Sequence, residues 1–155
     1  LVAQLQLLGC NALGVTGADG NMIKARKRPV GEVDFGFVGD ITPADVNTAL
    51  LYFLLKQNVV PVFASLTHAD GVMLNTNADT IASVLAIALS KHFDTRLIFC
   101  FEKRGVLKNI EDESSVIRLL NESSYKNLLN QGSFGEATHL LQNVGQETEG
   151  TLIVK

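Results

Sequence analysis

A chain of 155 residues with 46% hydrophobic and 19% charged residues is about one domain long, and this composition excludes an intrinsically disordered protein. The net charge of −3, with a single short basic cluster from Lys24 to Arg28, excludes a clustered-cation footprint for nucleic acid. No window reaches the ~20 apolar residues that cross a bilayer. Leu1-Val2-Ala3-Gln4 lacks the basic flank of a secretory signal, so the cytoplasm is the expected compartment.

Leu1, Val2, Leu5 and Leu8 recur at helical spacing, and Gly9 can end that helix in a left-handed cap. A chain that opens inside a helix, without Met, is expected to continue a longer protein. Ala12-Leu13-Gly14-Val15 reads as a short buried strand, followed by a turn, Thr16 to Gly20, with two glycines and an aspartate. Residues 21 to 39 hold two short β-like pieces around a basic loop with Pro29, and Phe35-Gly36-Phe37 suits an edge hairpin.

Thr42 as N-cap, Pro43 at the first position and Val46, Leu50, Leu51, Leu54 and Leu55 predict a helix over 42 to 57. Val59 to Ala64 is a nearly continuous apolar run, as in a parallel strand covered on both faces. Thr67 to Gly71 predicts a turn before Met73-Leu74, and a helix runs from Asn77 through Ile81, Val84, Leu85, Ala88 and Leu89. Leu97 to Phe101 is the next expected buried strand. Helices are expected near 114 to 120, 123 to 130 and 136 to 142, with a break at 132 to 135 and a last strand at 151 to 154. Strands alternating with helices predict an α/β fold, a three-layer α/β/α sandwich around a mainly parallel sheet with right-handed crossovers.

In such sheets ligands bind beyond the carboxyl ends of the strands, and the loops 16–20, 75–79 and 102–107 all fall there. In Asn75-Thr76-Asn77-Ala78-Asp79-Thr80, two amides and a carboxylate stand at a strand-to-helix handover. The amides can hold a small acidic substrate, and Asp79, in a first helical turn, can organise cations. Equally, Asn77 can be a plain N-cap and Asp79 a first-turn acid. Glu102-Lys103-Arg104-Gly105-Val106-Leu107 suits a nucleotide loop or an ordinary solvated strand exit. Phosphate loops of the G-x-x-x-x-G-K-S/T and G-x-G-x-x-G kinds are absent from the sequence, as is any Cys/His ligand spacing. No protein-bound metal is therefore expected. Cys10 and Cys100 are read as reduced, buried thiols, and His68, His92 and His139 as isolated surface or turn residues.

Thr16 to Gly20, Asp34-Phe35-Gly36-Phe37-Val38-Gly39, Asn75 to Thr80 and Glu102 to Leu107, in that order, resemble the acetylglutamate kinases of the amino-acid kinase family, whose fold is the carbamate kinase-like α/β sandwich. The resemblance covers Leu1 to about Leu107, with a weaker match to Gly132. It implies a single domain over 1–155. Residues 1–75 would include the end of the substrate-side half, and 76–155 would form the ATP-binding half.

The implied reaction is phosphorylation of the side-chain carboxylate of N-acetylglutamate, or another N-acylglutamate, by ATP in arginine biosynthesis, with Mg2+ carried by the nucleotide. By motif, Asn75 and Asn77 would hold the substrate, Asp79 would position two catalytic lysines, and Glu102, Lys103, Arg104, Gly105, Val106 and Leu107 would embrace ATP. The family more often has aspartate where Glu102 stands. Its Lys-x-Gly-Gly strand-loop, glycine-rich substrate loop and substrate arginine would precede Leu1. The segment with its second lysine would follow Gly132, where this chain reads Ser133-Phe134-Gly135-Glu136-Ala137. Pairing through the helix whose end Leu1 to Leu8 resembles implies a homodimer, with no nucleic-acid or membrane partner. A relative acting on another carboxylate or carbamate, or a non-catalytic ligand-binding relative, is the alternative.

Overall fold

The computed structural model describes residues 1–100, 111–112, 114–117, 119–120 and 152–153. The chain divides into two compact units, Leu1–Leu97 and Ile98–Lys155.

In the first unit, helix α1 (Val2–Leu7) ends where the sequence predicts. The Gly9 N–H donates to the Gln6 carbonyl at 3.0 Å and the Cys10 N–H to the Leu5 carbonyl at 2.9 Å, while Gly9 takes φ +79. These two bonds are a Schellman closure. Strand β1 (Ala12–Val15) then pairs in parallel with β4 (Val60–Phe63), in the register Ala12↔Val60 to Val15↔Phe63. The intervening chain carries α2 (Thr48–Lys56), the crossover helix expected between parallel neighbours.

Between β1 and α2, β2 (Arg26–Lys27) pairs antiparallel with β3 (Gly39–Asp40). They enclose the loop that holds Pro29, Phe35 and Phe37. Phe35 and Phe37 lie outside the strands and are exposed, with the Arg28 guanidinium 5.3 Å from the Phe35 ring centroid and Lys27 Nζ 5.0 Å from that of Phe37. Arg28 also pairs with Asp40, and Arg26 with Asp45 at 3.0 Å. Three cations of the short basic cluster are thus engaged locally.

The expected helix over 42 to 57 is two pieces. Thr42 and Asp45 form a capping box around a 3-10 turn, Pro43–Asp45, and the chain then extends at Val46, with ψ 128. Val46 bridges Ile23 in antiparallel fashion and the Asn47 N–H donates to the Met22 carbonyl at 2.8 Å, which breaks the helix. Asn47 starts α2 afresh, its side chain accepting the Leu50 N–H at 3.3 Å.

The expected turn over Thr67 to Gly71 is largely strand. Strand β5 (Leu66–Ala69) pairs antiparallel with β6 (Val72–Asn75), and only Asp70-Gly71 turns, at φ +50 and +79. Two positive-φ residues form the hairpin turn whose twist matches its strands. Helix α3 (Ala78–Leu89) follows as predicted. Leu51, Leu74, Ile23, Ile81, Val84 and Ala88 are buried together in one core. Tyr52 of α2 packs on His92 and Phe93 just past α3, with ring centroids 5.8 and 5.5 Å apart.

Leu97 to Cys100 is not a strand; burial alternates along it, Ile98 is 77% exposed, and these residues make no ladder hydrogen bond among the described residues. Among the described residues this apolar run has no partner strand. Cys100 is accordingly an exposed free thiol and Cys10 a half-buried one, not the buried pair expected. Phe101, the predicted helices at 123 to 130 and 136 to 142, and the break at 132 to 135 lie outside the described residues.

In the second unit, β7 (Leu119–Leu120) pairs antiparallel with β8 (Leu152–Ile153). The last strand agrees with expectation, whereas Leu119-Leu120 is strand where a helix was expected, its apolar pair serving a two-residue ladder. Asp112 closes a turn, its Oδ1 accepting the Ser114 N–H at 2.9 Å. No helix among the described residues is long and apolar enough to cross a membrane.

Candidate functional site

Hydrogen bonds bring two of the three predicted loops to one edge. At the carboxyl end of the parallel pair, the Ala64 N–H donates to the Val15 carbonyl at 2.9 Å. One residue on, the Ser65 carbonyl accepts the Thr76 N–H at 3.1 Å, and the Leu66 carbonyl accepts the Gly17 N–H at 2.7 Å. The Thr16 to Gly20 turn and the Asn75 to Asp79 segment therefore both flank Ser65-Leu66, beyond the ends of β1 and β4, where open α/β folds place ligands. The third loop, Glu102, Lys103, Arg104, Gly105, Val106 and Leu107, lies outside the described residues.

The turn is closed by its own side chains. Asp19 Oδ2 accepts the Thr16 N–H at 2.6 Å and the Thr16 hydroxyl at 2.8 Å. These bonds to the charged form hold the Asp19 carboxyl below its ordinary value, against a small opposing desolvation.

Along 74 to 77 the burial alternates: Leu74 and Thr76 are buried, Asn75 and Asn77 exposed. That is the two-residue period of an extended chain, so the two amides share the outer side while Leu74 and Thr76 enter the core. Asn75 pairs with Leu66 on one flank. On the other, its N–H donates to the Phe37 carbonyl at 2.8 Å, beside the parallel bridge to Val38.

Asn77 is the N-cap of α3, its Oδ1 accepting the N–H groups of Asp79 at 2.8 Å and Thr80 at 3.2 Å. The capping reading is correct, and it leaves the Asn77 amide nitrogen as the group that can reach a ligand. Asp79 is half-buried in the first turn of α3. Among the described residues no cation pairs with its carboxylate. The segment thus offers outward amide donors and a carboxylate at a helix N-terminus, able to grip an acid and to collect cations.

Sequence reasoning missed the inner half of this arrangement. Thr67 and Thr76, with 0% and 2% exposure, join their hydroxyls at 2.7 Å, and the Thr76 hydroxyl donates to the Gly39 carbonyl at 2.9 Å. The signal was present in Leu74-Asn75-Thr76-Asn77, where alternation turns a polar residue inward and so demands a buried partner. His68, expected at the surface or in a turn, sits half-buried in β5 with Nε2 shielded and, among the described residues, without a hydrogen-bond partner. Three or more metal-ligating groups do not cluster anywhere among the described residues.

The sequence profile of the amino acid kinase family matches residues 1–144. Acetylglutamate kinase from Parabacteroides distasonis is 55% identical over 133 residues, 85% of this chain and 51% of that protein. The Bacteroides fragilis acetylglutamate kinase is 53% identical over 133 residues, 85% of this chain and 50% of its own, and the Cytophaga hutchinsonii one 48% over 134, with the same two shares. The chain thus spans about half the length of the curated relatives it matches. A solved structure of smu.665 from Streptococcus mutans UA159 superposes with a TM-score of 0.70 at 23% identity, covering 92% of this chain and 54% of that one. N-acetylglutamate synthase from Neisseria gonorrhoeae, solved with coenzyme A and N-acetyl-glutamate, gives 0.64 at 18% identity, covering 91% and 30%. At such identities the two structures speak for the α/β fold alone.

Proposed function

The chain belongs to the amino acid kinase family, and within it we propose that the protein carrying this chain transfers the γ-phosphoryl group of ATP to the side-chain carboxylate of N-acetyl-L-glutamate, in arginine biosynthesis. The observation that carries this reading is the trio Asn75, Asn77 and Asp79 on the carboxyl edge of the parallel pair, within a sequence about half identical to acetylglutamate kinases.

Asn75, its backbone fixed from both flanks, donates through its side-chain amide to the acid. The Asn77 amide nitrogen lines the same pocket. Asp79 organises the cations that neutralise the transferring group. A carboxylate oxygen of the substrate attacks the γ-phosphorus in line; the bond to the β,γ-bridging oxygen breaks, and ADP departs with its electron pair. The product is an acyl phosphate, and no bond to the protein forms. Such a transfer depends on positioning and on cations that neutralise the spreading charge. Glu102 to Leu107 embraces the nucleotide, and Mg2+ enters with its phosphates. The protein acts as a homodimer in the cytoplasm.

The test is hydroxylamine trapping with the full-length protein, in which hydroxamate should appear only with both ATP and N-acetylglutamate. Hydroxamate driven instead by a different acid would assign another acceptor. Calorimetric binding of both ligands without turnover would leave a ligand-binding relative.

A further inference from the structure

The edge-to-core alternation at 74 to 77 ties the inner face of the site to the outer one. Each threonine hydroxyl has one proton to give. The Thr76 proton goes to the Gly39 carbonyl at 2.9 Å, so across the 2.7 Å pair it is Thr67 that donates to Thr76. The result is a directed chain, Thr67 to Thr76 to the Gly39 carbonyl, with the Leu74 carbonyl only a distant 3.4 Å alternative for Thr67. It ties the base of the β5–β6 hairpin to β3, which lies far from it in sequence.

Room for this chain exists because position 39 has no side chain. A Cβ there would stand 2.8 Å from Thr67 Oγ1 and 3.0 Å from the Cβ atoms of Ala25 and Leu74. Thr76 turns into the core at the position after the exposed Asn75, whose backbone N–H donates to the Phe37 carbonyl, two residues before Gly39.

We propose that Thr76 is a positioning residue for Asn75: its buried hydroxyl, fed by Thr67 and spent on Gly39, fixes the register and pitch at which the Asn75 amide meets the acyl-amino acid. This rests on the proposed role of Asn75 in holding that acid. Valine has threonine's shape without the hydroxyl, so Thr76→Val would take from the Gly39 carbonyl its hydroxyl donor, leave the Thr67 hydroxyl only the 3.4 Å Leu74 carbonyl, and free the strand exit to shift. The cap of α3 is separate, because it is made by Asn77 Oδ1.

The experiment is steady-state kinetics of the full-length protein. Thr76→Val should raise KM for N-acetylglutamate on the order of tenfold to a hundredfold, the cost of a small misplacement of a gripping group, with KM for ATP near that of the parent. Thr76→Ser, which restores the hydroxyl, should recover most of the loss. Thr67→Val removes the feeding donor and should shift the same constant less; it decides the matter if Thr76→Val does not fold. The proposal is overturned if the folded valine variants keep the parental KM for the acid, if KM for ATP rises equally, or if serine fails to rescue. A parent protein without activity on acylglutamate would overturn the functional reading itself, and this inference with it; an active parent with indifferent valine variants would overturn this inference alone.

Discussion

Asn77 caps the helix on which Asp79 stands, its Oδ1 accepting the Asp79 N–H at 2.8 Å. One side chain therefore serves stability with its oxygen and can serve a ligand with its nitrogen. Asn77→Ala should cost ~1 kcal/mol of stability, the ordinary value of a lost cap. Asn77→Asp keeps a good cap but has no amide donor. It should unfold like the parent while binding N-acetylglutamate more weakly, read by thermal melts alongside kinetics; a parental KM would remove Asn77 from the pocket.

Asp79→Asn separates charge from shape. The carboxylate is half-buried and no described cation pairs with it, so neutralising it should leave the melting temperature close to parental. On the proposed role, the cations that Asp79 organises in the full-length protein would lose their anchor, and kcat should fall about a hundredfold or more. Near-normal turnover would sink the assigned role.

Much of this was legible in the sequence where apolar pattern and local signals agreed. Gly9 ended α1, the Val59 to Ala64 run gave β4, and the Asn77 cap with its apolar period gave α3. The errors arose where tertiary pairing outvoted a local signal. Thr42-Pro43 is a genuine helix start, yet Val46 is drawn into an extended bridge with Ile23, and the long helix begins five residues later at Asn47. Thr67-His68 looks like loop because it is polar, but Thr67 is buried in β5 with its hydroxyl bonded to Thr76, a residue beyond the hairpin. For the site, the outward amides were readable from residue type, and the inward hydroxyls needed the register of β5 against β6.

Leu51 tests the core that holds the crossover against the sheet. It is 1% exposed in α2, among the buried side chains that include Ile23 and Ile81. Leu51→Ala should destabilise the protein by ~2–5 kcal/mol, the range for a buried leucine whose cavity collapses incompletely. Denaturant titration reads this as a lower midpoint with unchanged slope; a loss within ~0.5 kcal/mol would mean the site is not close-packed.

Asp45 gives the fold a pH dependence of known sign. Burial pushes its carboxyl up, but the hydroxyl and N–H of Thr42, at 2.7 and 2.6 Å, and the Arg26 guanidinium at 3.0 Å together hold it below the ordinary value of 3.8. A folded-state value below the unfolded one means that folding releases protons in this range. The stabilisation is complete above 3.8 and is lost as pH falls through the lowered folded value. Asp45→Asn has no proton to bind there and cannot accept as a charged group. The parent should thus exceed the variant in melting temperature at neutral pH, and the gap should close on acidification below 3.8. A gap that stayed constant down to the acid limit would show that the side chain acts through shape and not through charge.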